Sequence, residues 1–235
     1  VYNTKKVEAT FNVSGNSKDT AKELVDYGGN DNSPANSKGS DHYFNRITTP
    51  AYAHTYLITE ILSPDYEDID YNDPLTRGTS DNDLGNYTKF RYVKKSSNYK
   101  WRLPFERNKA TLNEGLYTLE KDAMGNYIYG EKELIYIDKI ETKTHVAIFT
   151  LTQRLDGYGV LDENGGLNTN TSSASYKIDK ISLYTKAEYK LLEQYLADGD
   201  TSNDNLITPI KVAHFEYDYS LQGAGAAVIP NNSNS

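Results

Sequence analysis

The run from Tyr127 to Thr152, YIYGEKELIYIDKIETKTHVAIFTLT, indicates the fold more strongly than any other stretch of the chain. Two segments rich in isoleucine, tyrosine, threonine and valine flank the polar sequence ETKT, and β-branched and aromatic residues favour strands. Two such segments joined by a short polar connection are typical of an antiparallel hairpin. The sequence therefore predicts a β-hairpin in the second half of the chain.

Segments of similar composition lie on the N-terminal side of this hairpin. Alternating apolar residues predict a strand from Val1 to Val13, and tyrosine-rich runs predict strands from Tyr52 to Leu62 and from Asn86 to Val93. We expect the Asn86 to Val93 strand to pair with Tyr52 to Leu62 or with Tyr99 to Leu103. Between the strands, the sequence predicts a long irregular loop from Arg107 to Gly125 and one or two helical turns in the segment AKELVDY.

The C-terminal side adds strands from Tyr176 to Tyr184 and from Thr208 to Leu221. Between them, apolar residues at helical spacing predict a short helix from Lys186 to Ala197, with Thr185 as its N-cap. The predicted fold is therefore mainly β, with antiparallel sheets arranged as a sandwich or an open shell, long loops and one short helix.

Length and composition set the domain organisation. A β-rich chain of 235 residues can bury a core of its own, so residues 1–221 are predicted to form a single domain or two packed lobes. Residues 222–235 have the sequence QGAGAAVIPNNSNS and are predicted to be a flexible tail or linker. The chain has no apolar run long enough for a membrane span. It begins at Val1 without an apolar signal region and is interpreted as a mature or excised fragment.

Cysteine content and charge exclude several classes of site. The absence of cysteine rules out disulfides, thiolate zinc sites and a cysteine nucleophile. A net charge of −8 argues against nucleic acid as a partner, because binding phosphates requires a concentrated basic face. Five basic residues do lie between Arg91 and Arg102, and we interpret them as the solvated face of a sheet.

The most distinctive segment chemically runs from Asp65 to Asp83, with seven acidic side chains and one arginine. Asp68, Asp70 and Asn72 occupy the first, third and fifth positions of a loop that resembles the calcium loops of the EF-hand and dockerin class. In such loops, short oxygen-bearing side chains on alternate residues converge on one ion. The resemblance therefore makes calcium the expected cofactor.

The loop departs from that pattern at two positions. Asp73 replaces the usual glycine and Thr79 the usual bidentate glutamate, so Asp81 or Asp83 would have to supply the missing ligand. The alternative is a solvated acidic turn without metal. Two weaker acidic groupings are interpreted mainly as turn and helix-end chemistry: Asp162 with Asn164, and Asp198 with Asp200, Asn203 and Asp204.

Aromatic residues provide a second candidate site. Tyrosine occurs 21 times, and tyrosine suits half-buried strand positions at which the ring packs and the hydroxyl stays in water. The single tryptophan, Trp101, lies near Tyr99 and Phe105, and these three side chains are candidates for binding a glycan or protein ligand. The alternative is that they belong to the core.

The sequence does not favour an enzyme. The four histidines, His42, His54, His145 and His214, are isolated from one another and lack metal-site spacing, so each is interpreted as structural. A nucleophile elbow and a P-loop are absent from the sequence. A glycoside-active enzyme with paired carboxylates remains the alternative, and its candidates are Glu60, Glu131 and Glu133.

The C-terminal part resembles a known group of proteins. The segments IDKIETKTHVAIFTLTQRLDG, YKIDKISLYTK and PIKVAHFEYDYS carry Arg-x-Asp-Gly at Arg154 to Gly157 and Phe-x-Tyr-x-Tyr at Phe215 to Tyr219. Over Leu134 to Leu221 this succession resembles the strand pattern upstream of the YD repeats in large Rhs-type surface proteins of Bacteroidetes, although the chain lacks a YD-repeat array. The resemblance implies a β-sheet piece of a secreted or cell-surface protein whose main partner is the rest of its parent chain.

These observations together predict a non-catalytic structural or adhesive β domain of a larger secreted or surface bacterial protein, stabilised by calcium at the acidic loop. A carbohydrate-binding module that uses Trp101 and neighbouring tyrosines is the principal alternative.

Overall fold

The computed structural model describes residues 2–14, 18–19, 23–73, 78–114, 122–198 and 206–218, with the backbone alone at residues 2–4, 18–19 and 198. These residues form one antiparallel sheet of eleven strands with a single α-helix, which confirms the predicted fold class. The strands are β1 (Tyr2–Asn12), β2 (Lys18–Asp19), β3 (Leu24–Asp26), β4 (Phe44–Ala53), β5 (Glu60–Leu62), β6 (Tyr87–Leu103), β7 (Lys109–Leu112), β8 (Met124–Thr142), β9 (His145–Tyr158), β10 (Ala174–Thr185) and β11 (Lys211–His214). The helix is α1 (Lys186–Asp198), and a 3-10 turn covers Thr171–Ser173.

The long strand β8 organises the sheet because each of its edges has two partners. One edge pairs with β1 along residues 124–132 and with β9 along residues 139–141. The other edge pairs with β7 at residues 125–126 and with β6 between residues 128 and 142. The two halves of the sheet therefore share one continuous strand.

The predicted hairpin is confirmed only near its turn. β8 and β9 pair through residues 139–141 and 146–148, and the Thr142 hydroxyl accepts a hydrogen bond of 3.0 Å from the His145 amide. Beyond this point β9 pairs with β10, while β8 continues beside β1. The reason is burial: Tyr127 and Tyr129 on β8 need the apolar side chains of β1, and a local sequence pattern does not identify that distant partner.

The strand β6 corrects a second prediction. Residues 86–93 and 99–103 were expected to be two strands, but β6 runs through both from Tyr87 onward, so they cannot pair with each other. The other predicted pairing is confirmed in part, because β5 pairs with residues 87–89, whereas residues 54–59 have no regular structure. The serines and asparagine at 96–98 resemble a turn, yet the chain accommodates them as register shifts within the strand.

Three other segments differ from their predictions. β7 lies inside the stretch 107–125 that was predicted to be a loop, and β3 lies inside the stretch 21–27 that was predicted to be helical. These two strands pair with each other and bury Val25 and Ala110 completely, so tertiary pairing decides their structure. β11 covers only four residues of the predicted strand 208–221. The predicted tail 222–235 lies outside the described residues.

A buried hydrophobic cluster lies where β1, β3 and β7 meet the first half of β8. Val7 and Phe11 of β1 pack with Tyr127 of β8, and Tyr27 and Val160 from two connecting segments also belong to this cluster. The Phe11 ring meets the Tyr27 ring edge-on at 5.2 Å between centroids. The alternating apolar residues Val7, Ala9, Phe11 and Val13 all belong to this cluster, which confirms the pattern from which the strand was predicted.

The predicted helix and its N-cap are confirmed. The Thr185 hydroxyl accepts a hydrogen bond from the Glu188 amide at 3.2 Å, and the Thr185 amide donates to the Glu188 carboxylate at 3.3 Å. This reciprocal pair is a capping box, which satisfies amides that the first turn leaves unpaired. Among the described residues, no helix combines the length and apolar character that a membrane span would require.

Candidate functional site

The acidic loop is closed at its base by backbone contacts. Glu67 and Leu84 exchange backbone hydrogen bonds of 3.2 and 3.0 Å, and Ser63 bonds to Asn86 just outside them. Gly85 has a positive φ of 70°, and a Cβ atom there would lie 2.5 Å from the Asp65 carbonyl oxygen. Glycine is therefore required where the two limbs of the loop come together.

The three predicted calcium positions lie on the first limb of this loop. Asp68 accepts hydrogen bonds from the Asp70 amide at 3.1 Å and from the Gly78 amide at 3.0 Å. Asp70 is partly buried, and Asn72 is exposed. The structure thus brings Asp68 and Asp70 into one turn, with the Asp68 carboxylate holding the opposite limb of the loop. Within the described ranges, three or more acidic or histidine side chains do not converge as a metal site would require.

Asp83 lies on the second limb and points into the protein. It is 1% exposed, and its Oδ2 accepts hydrogen bonds from the Tyr66 hydroxyl at 2.8 Å and the Ser80 amide at 2.7 Å. Burial raises the pKa of Asp83, but these hydrogen bonds outweigh burial and leave the pKa lowered. Its Oδ1 is buried without a hydrogen-bond partner, and the Ile69 amide also helps to lower the pKa of Asp83.

Asp81, on the same limb, meets two lysines of helix α1. Its Oδ1 contacts the Lys186 Nζ and accepts a hydrogen bond of 2.9 Å from the Tyr87 hydroxyl, while its Oδ2 lies 2.5 Å from the Lys190 Nζ. Lys186 also lies 2.7 Å from Glu141 at the end of β8. We call Asp81, Tyr87, Glu141, Lys186 and Lys190 the lysine–carboxylate cluster.

The ionisation of this cluster follows from its contacts. Burial alone would lower the pKa of Lys186, but hydrogen bonds to Asp81, Glu141 and Tyr87 leave it raised. Burial alone would raise the pKa of Asp81 and of Glu141, but the hydrogen bonds from Lys186 leave both lowered. The cluster therefore holds an ammonium group between two carboxylates, and Lys186 is only 8% exposed.

A neighbouring group of contacts fixes the same limb to β5 and β6. The Thr79 hydroxyl donates to Glu60 at 2.8 Å, and Lys89 donates to the Thr79 carbonyl at 2.9 Å. Thr79 occupies the expected position of the bidentate calcium ligand. It is buried, and its hydroxyl is bonded to Glu60. The second limb is attached to the sheet through Glu60 and to the helix through Asp81.

The three aromatic candidates do not form a common surface. Tyr99 and Trp101 share one face of β6, where Trp101 lies against Gly130 and the Tyr99 hydroxyl donates to the Gly157 carbonyl at 3.3 Å. Phe105 instead packs against the buried cluster that contains Phe11. Trp101 is half-buried, so the pair Tyr99 and Trp101 remains the accessible part of the predicted ligand site.

A polar cleft lies beside these aromatic residues. It has a volume of about 310 Å³ and runs between the bulged part of β6 and the segment around the 3-10 turn. Hydroxyl, amide and ammonium groups line it, together with one valine: Lys95, Ser96, Ser97, Asn98, Lys100, Val160, Asn168, Ser172 and Ser173. Asn98 and Lys100 flank Tyr99 along β6, so the cleft adjoins the aromatic pair.

The candidates for enzymatic chemistry are separated from one another. All four histidines are exposed. The His54 ring meets Thr55 and the Tyr52 ring, and the His145 ring meets Thr144. Glu60, Glu131 and Glu133 each have a different partner, namely Thr79, Tyr129 and Lys94. The weaker acidic pair Asp162 and Asn164 forms a turn, as predicted, while residues 199–205 lie outside the described part of the chain.

One buried site was missed by the sequence analysis. Arg102 is 2% exposed, although its segment was interpreted as a solvated face. Its guanidinium lies 4.4 Å from the Tyr127 ring centroid, donates to the Tyr27 hydroxyl at 3.1 Å and bonds to the carbonyl of Glu163 at 2.7 Å. The Glu163 carboxylate in turn accepts from Tyr127 at 2.7 Å. Alternation along β6 places Arg102 on the core face, but only the fold shows that carbonyl groups surround it.

The lysine–carboxylate cluster was missed for a related reason. The sequence analysis assigned Asp81 to calcium, and Lys186 entered it only as the first residue of a helix. The ammonium group now occupies the position beside Asp81 that a cation was expected to take.

Comparison of the chain with family models, curated proteins and solved structures finds no match.

Proposed function

We propose that this chain is a non-catalytic structural or adhesive β module of a larger secreted or surface bacterial protein. The outer edge of β4 is the observation that carries the proposal. β4 pairs with β1 through nine residue pairs, and no other strand in the described ranges pairs with it. Its only charged residue is Arg46, and Ile47 and Tyr52 are 39% and 45% exposed.

An edge of this kind can add another strand. Unpaired amide and carbonyl groups on an exposed strand are a template for pairing with a further chain. Pro50 interrupts the edge and limits pairing to part of its length. The secreted or surface location, and the parent chain as a partner, rest on the resemblance of residues 134–221 to Rhs-type proteins.

Sedimentation velocity over a wide range of concentrations tests the role of this edge. We expect reversible self-association that the double substitution Ile47→Lys and Ala51→Lys weakens, because charges on an edge strand oppose pairing. Leu196→Lys, which adds a charge at an exposed apolar residue of α1, is the matched control. A chain that stays monomeric throughout, or variants indistinguishable from the control, would contradict pairing through β4.

We also propose that calcium stabilises the acidic loop. The buried, unpartnered Oδ1 of Asp83 and the turn formed by Asp68 and Asp70 support this proposal, because carboxylate oxygens are the ligands that calcium prefers. We expect millimolar calcium to raise the thermal midpoint and Asp70→Ala to abolish that rise. Asp138→Asn, at an exposed position of β8, is the control. A midpoint that calcium leaves unchanged rejects the site.

The polar cleft favours carbohydrate binding as a second function. Its volume of about 310 Å³ is at the lower end of the range for small-molecule sites, and its hydroxyl and amide groups can bond to sugar hydroxyls. A glycan array with the labelled chain tests the proposal. Asn98→Leu should abolish binding at the cleft, whereas Trp101→Phe should abolish binding at the aromatic pair. Absence of any saturable glycan signal would reject both sites.

A further inference from the structure

The lysine–carboxylate cluster brings together three groups from distant parts of the chain. Lys186 begins helix α1, Asp81 belongs to the acidic loop and Glu141 ends β8. The Lys186 Nζ contacts Asp81 Oδ1 and lies 2.7 Å from Glu141 Oε1. The Lys186 side chain is 10% exposed and the Glu141 side chain 20%. The Asp81 side chain is 35% exposed, so an amine, a carboxyl group and a second carboxylate lie together at a partly enclosed place.

Glu141, the second carboxylate of the cluster, can act as a base toward Lys186. Asp81 is shared between Lys186 and Lys190, whereas Glu141 contacts Lys186 from a separate position at the end of β8. Glu141 is placed to accept a proton from the Lys186 ammonium, which is the requirement for turning the amine into a nucleophile. Lys190 at Asp81 Oδ2 and the Tyr87 hydroxyl at Oδ1 are placed to stabilise negative charge as a tetrahedral carbon forms.

We propose that Lys186 and Asp81 join in an intramolecular amide bond, with Glu141 as the proton acceptor. Glu141 takes a proton from the Lys186 ammonium, and the neutral Nζ attacks the Asp81 carboxyl carbon. A C–N bond forms and the bond from that carbon to Oδ1 breaks. Two of the three ammonium protons, one of them carried by Glu141, leave with this oxygen as water. The oxygen held by Lys190 becomes the amide carbonyl. Ammonium and carboxylate thus yield amide and water, without an oxidant or a further reactant.

The surroundings favour the product once the chain has folded. Contact between the reacting groups replaces a bimolecular encounter, which removes much of the entropic barrier to condensation. The amide is uncharged, so its formation relieves the cost of keeping the Lys186 ammonium away from water. In a chain without cysteine, such a bond would restrict the unfolded state as a disulfide does.

The contacts also predict how fast the bond forms. Because the carboxylates of Asp81 and Glu141 and the Tyr87 hydroxyl raise the pKa of Lys186, the neutral amine is scarce near neutral pH. Two further ammonium groups oppose this rise in the pKa of Lys186. Lys190 contacts the other oxygen of Asp81, and Lys139 lies 3.7 Å from Glu141. The step starts from ammonium and carboxylate and releases both protons as water, so we expect slow condensation after folding at a rate that depends little on pH near neutrality.

Intact-mass spectrometry of the freshly purified and the aged full chain tests the proposal. The expected result is a mass lower than that of the sequence by one water molecule, with a protease-resistant link between the peptides that contain Asp81 and Lys186. A chain that keeps its full mass after long incubation at neutral and alkaline pH overturns the proposal. So does a water loss that maps within a single peptide.

Matched variants separate the chemistry from folding. Glu141→Gln should remain folded by circular dichroism and lose the link or form it at least tenfold more slowly, whereas Glu133→Gln, on the same strand, should form it at the normal rate. Lys186→Arg keeps a cation in the cluster but should never show the water loss. Unchanged linking in folded Glu141→Gln would overturn the role of Glu141, and linking in Lys186→Arg would overturn the assignment of the amine.

Discussion

Single residues on β6 and β8 determine how closely the two strands pack. Trp101 is paired with Gly130, and a Cβ atom at Gly130 would lie 2.5 Å from the indole Cε2. The absence of a side chain on β8 therefore provides the space that the only tryptophan occupies. The sequence identified Trp101 as notable but gave no sign of this partner, because the pairing register of the two strands depends on the whole sheet.

Gly130→Ala should destabilise the fold by about 1–3 kcal/mol, because the added methyl group forces the indole or the backbone to shift. Gly28→Ala is the matched control, since a Cβ atom at Gly28 would meet nothing within 4 Å. Urea unfolding followed by circular dichroism gives both free energies of unfolding. Equal values for the two variants would show that the contact between Trp101 and Gly130 is not tightly packed.

The acidic loop shows what sequence can and cannot reveal about an element. Its position between two strands and its acidic composition were evident, and so was the helix that follows β10, because Thr185 and the apolar spacing are local signals. The partners of the loop were not evident. Asp81 meets Lys186, and Thr79 meets Glu60, only because β5, β6 and β8 bring distant segments together. The local pattern therefore indicated a calcium loop, although Lys186 already contacts Asp81 and Glu60 already accepts a hydrogen bond from Thr79.

The buried carboxyl of Asp83 should make this element sensitive to acid. Its pKa lies below its ordinary value of 3.8 in the folded state, so the stability that it contributes is complete above about pH 4. That contribution is lost as the pH falls from this value through the lower pKa of the folded state. Thermal midpoints measured between pH 2 and pH 6, roughly the range of carboxyl titration, should fall less steeply for Asp83→Asn than for the unmodified chain.

Asp138→Asn, at an exposed position, is the control for this acid dependence. Its profile should follow that of the unmodified chain. If Asp83→Asn also follows that profile, then the hydrogen bonds from Tyr66 and Ser80 do not contribute to the acid stability of the loop.

At the scale of the molecule, strand content was predictable and connectivity was not. Alternating and β-branched segments correctly indicated β1, β8, β9 and β10, each of which carries its own apolar pattern. Nothing in the local sequence of β8 indicated that it pairs with four strands, β1, β6, β7 and β9. Short strands such as β3 and β7 were missed because their structure depends on burying Val25 and Ala110 rather than on their own propensity.

Hydrogen exchange should report this arrangement directly. We expect the amides of β8 to exchange most slowly, because strands flank both of its edges, and those of β11 to exchange much faster, because in the described part of the chain β11 pairs with β10 alone. Exchange measured by mass spectrometry on peptides from both strands compares them. Similar protection in β8 and β11 would show that the sheet opens as one unit.

The double partnership of β8 has a mechanical consequence. A pulling force applied between β1 and β11 passes from the β1 hydrogen bonds into the first half of β8, and leaves through β9 and β10 at its other end. Between these points the tension runs along the covalent backbone of β8, and β6 supports β8 by pairing with it between residues 128 and 142. The weakest links under tension are then the three residue pairs that join β8 to β9, so the sheet should yield first at the turn that follows Thr142.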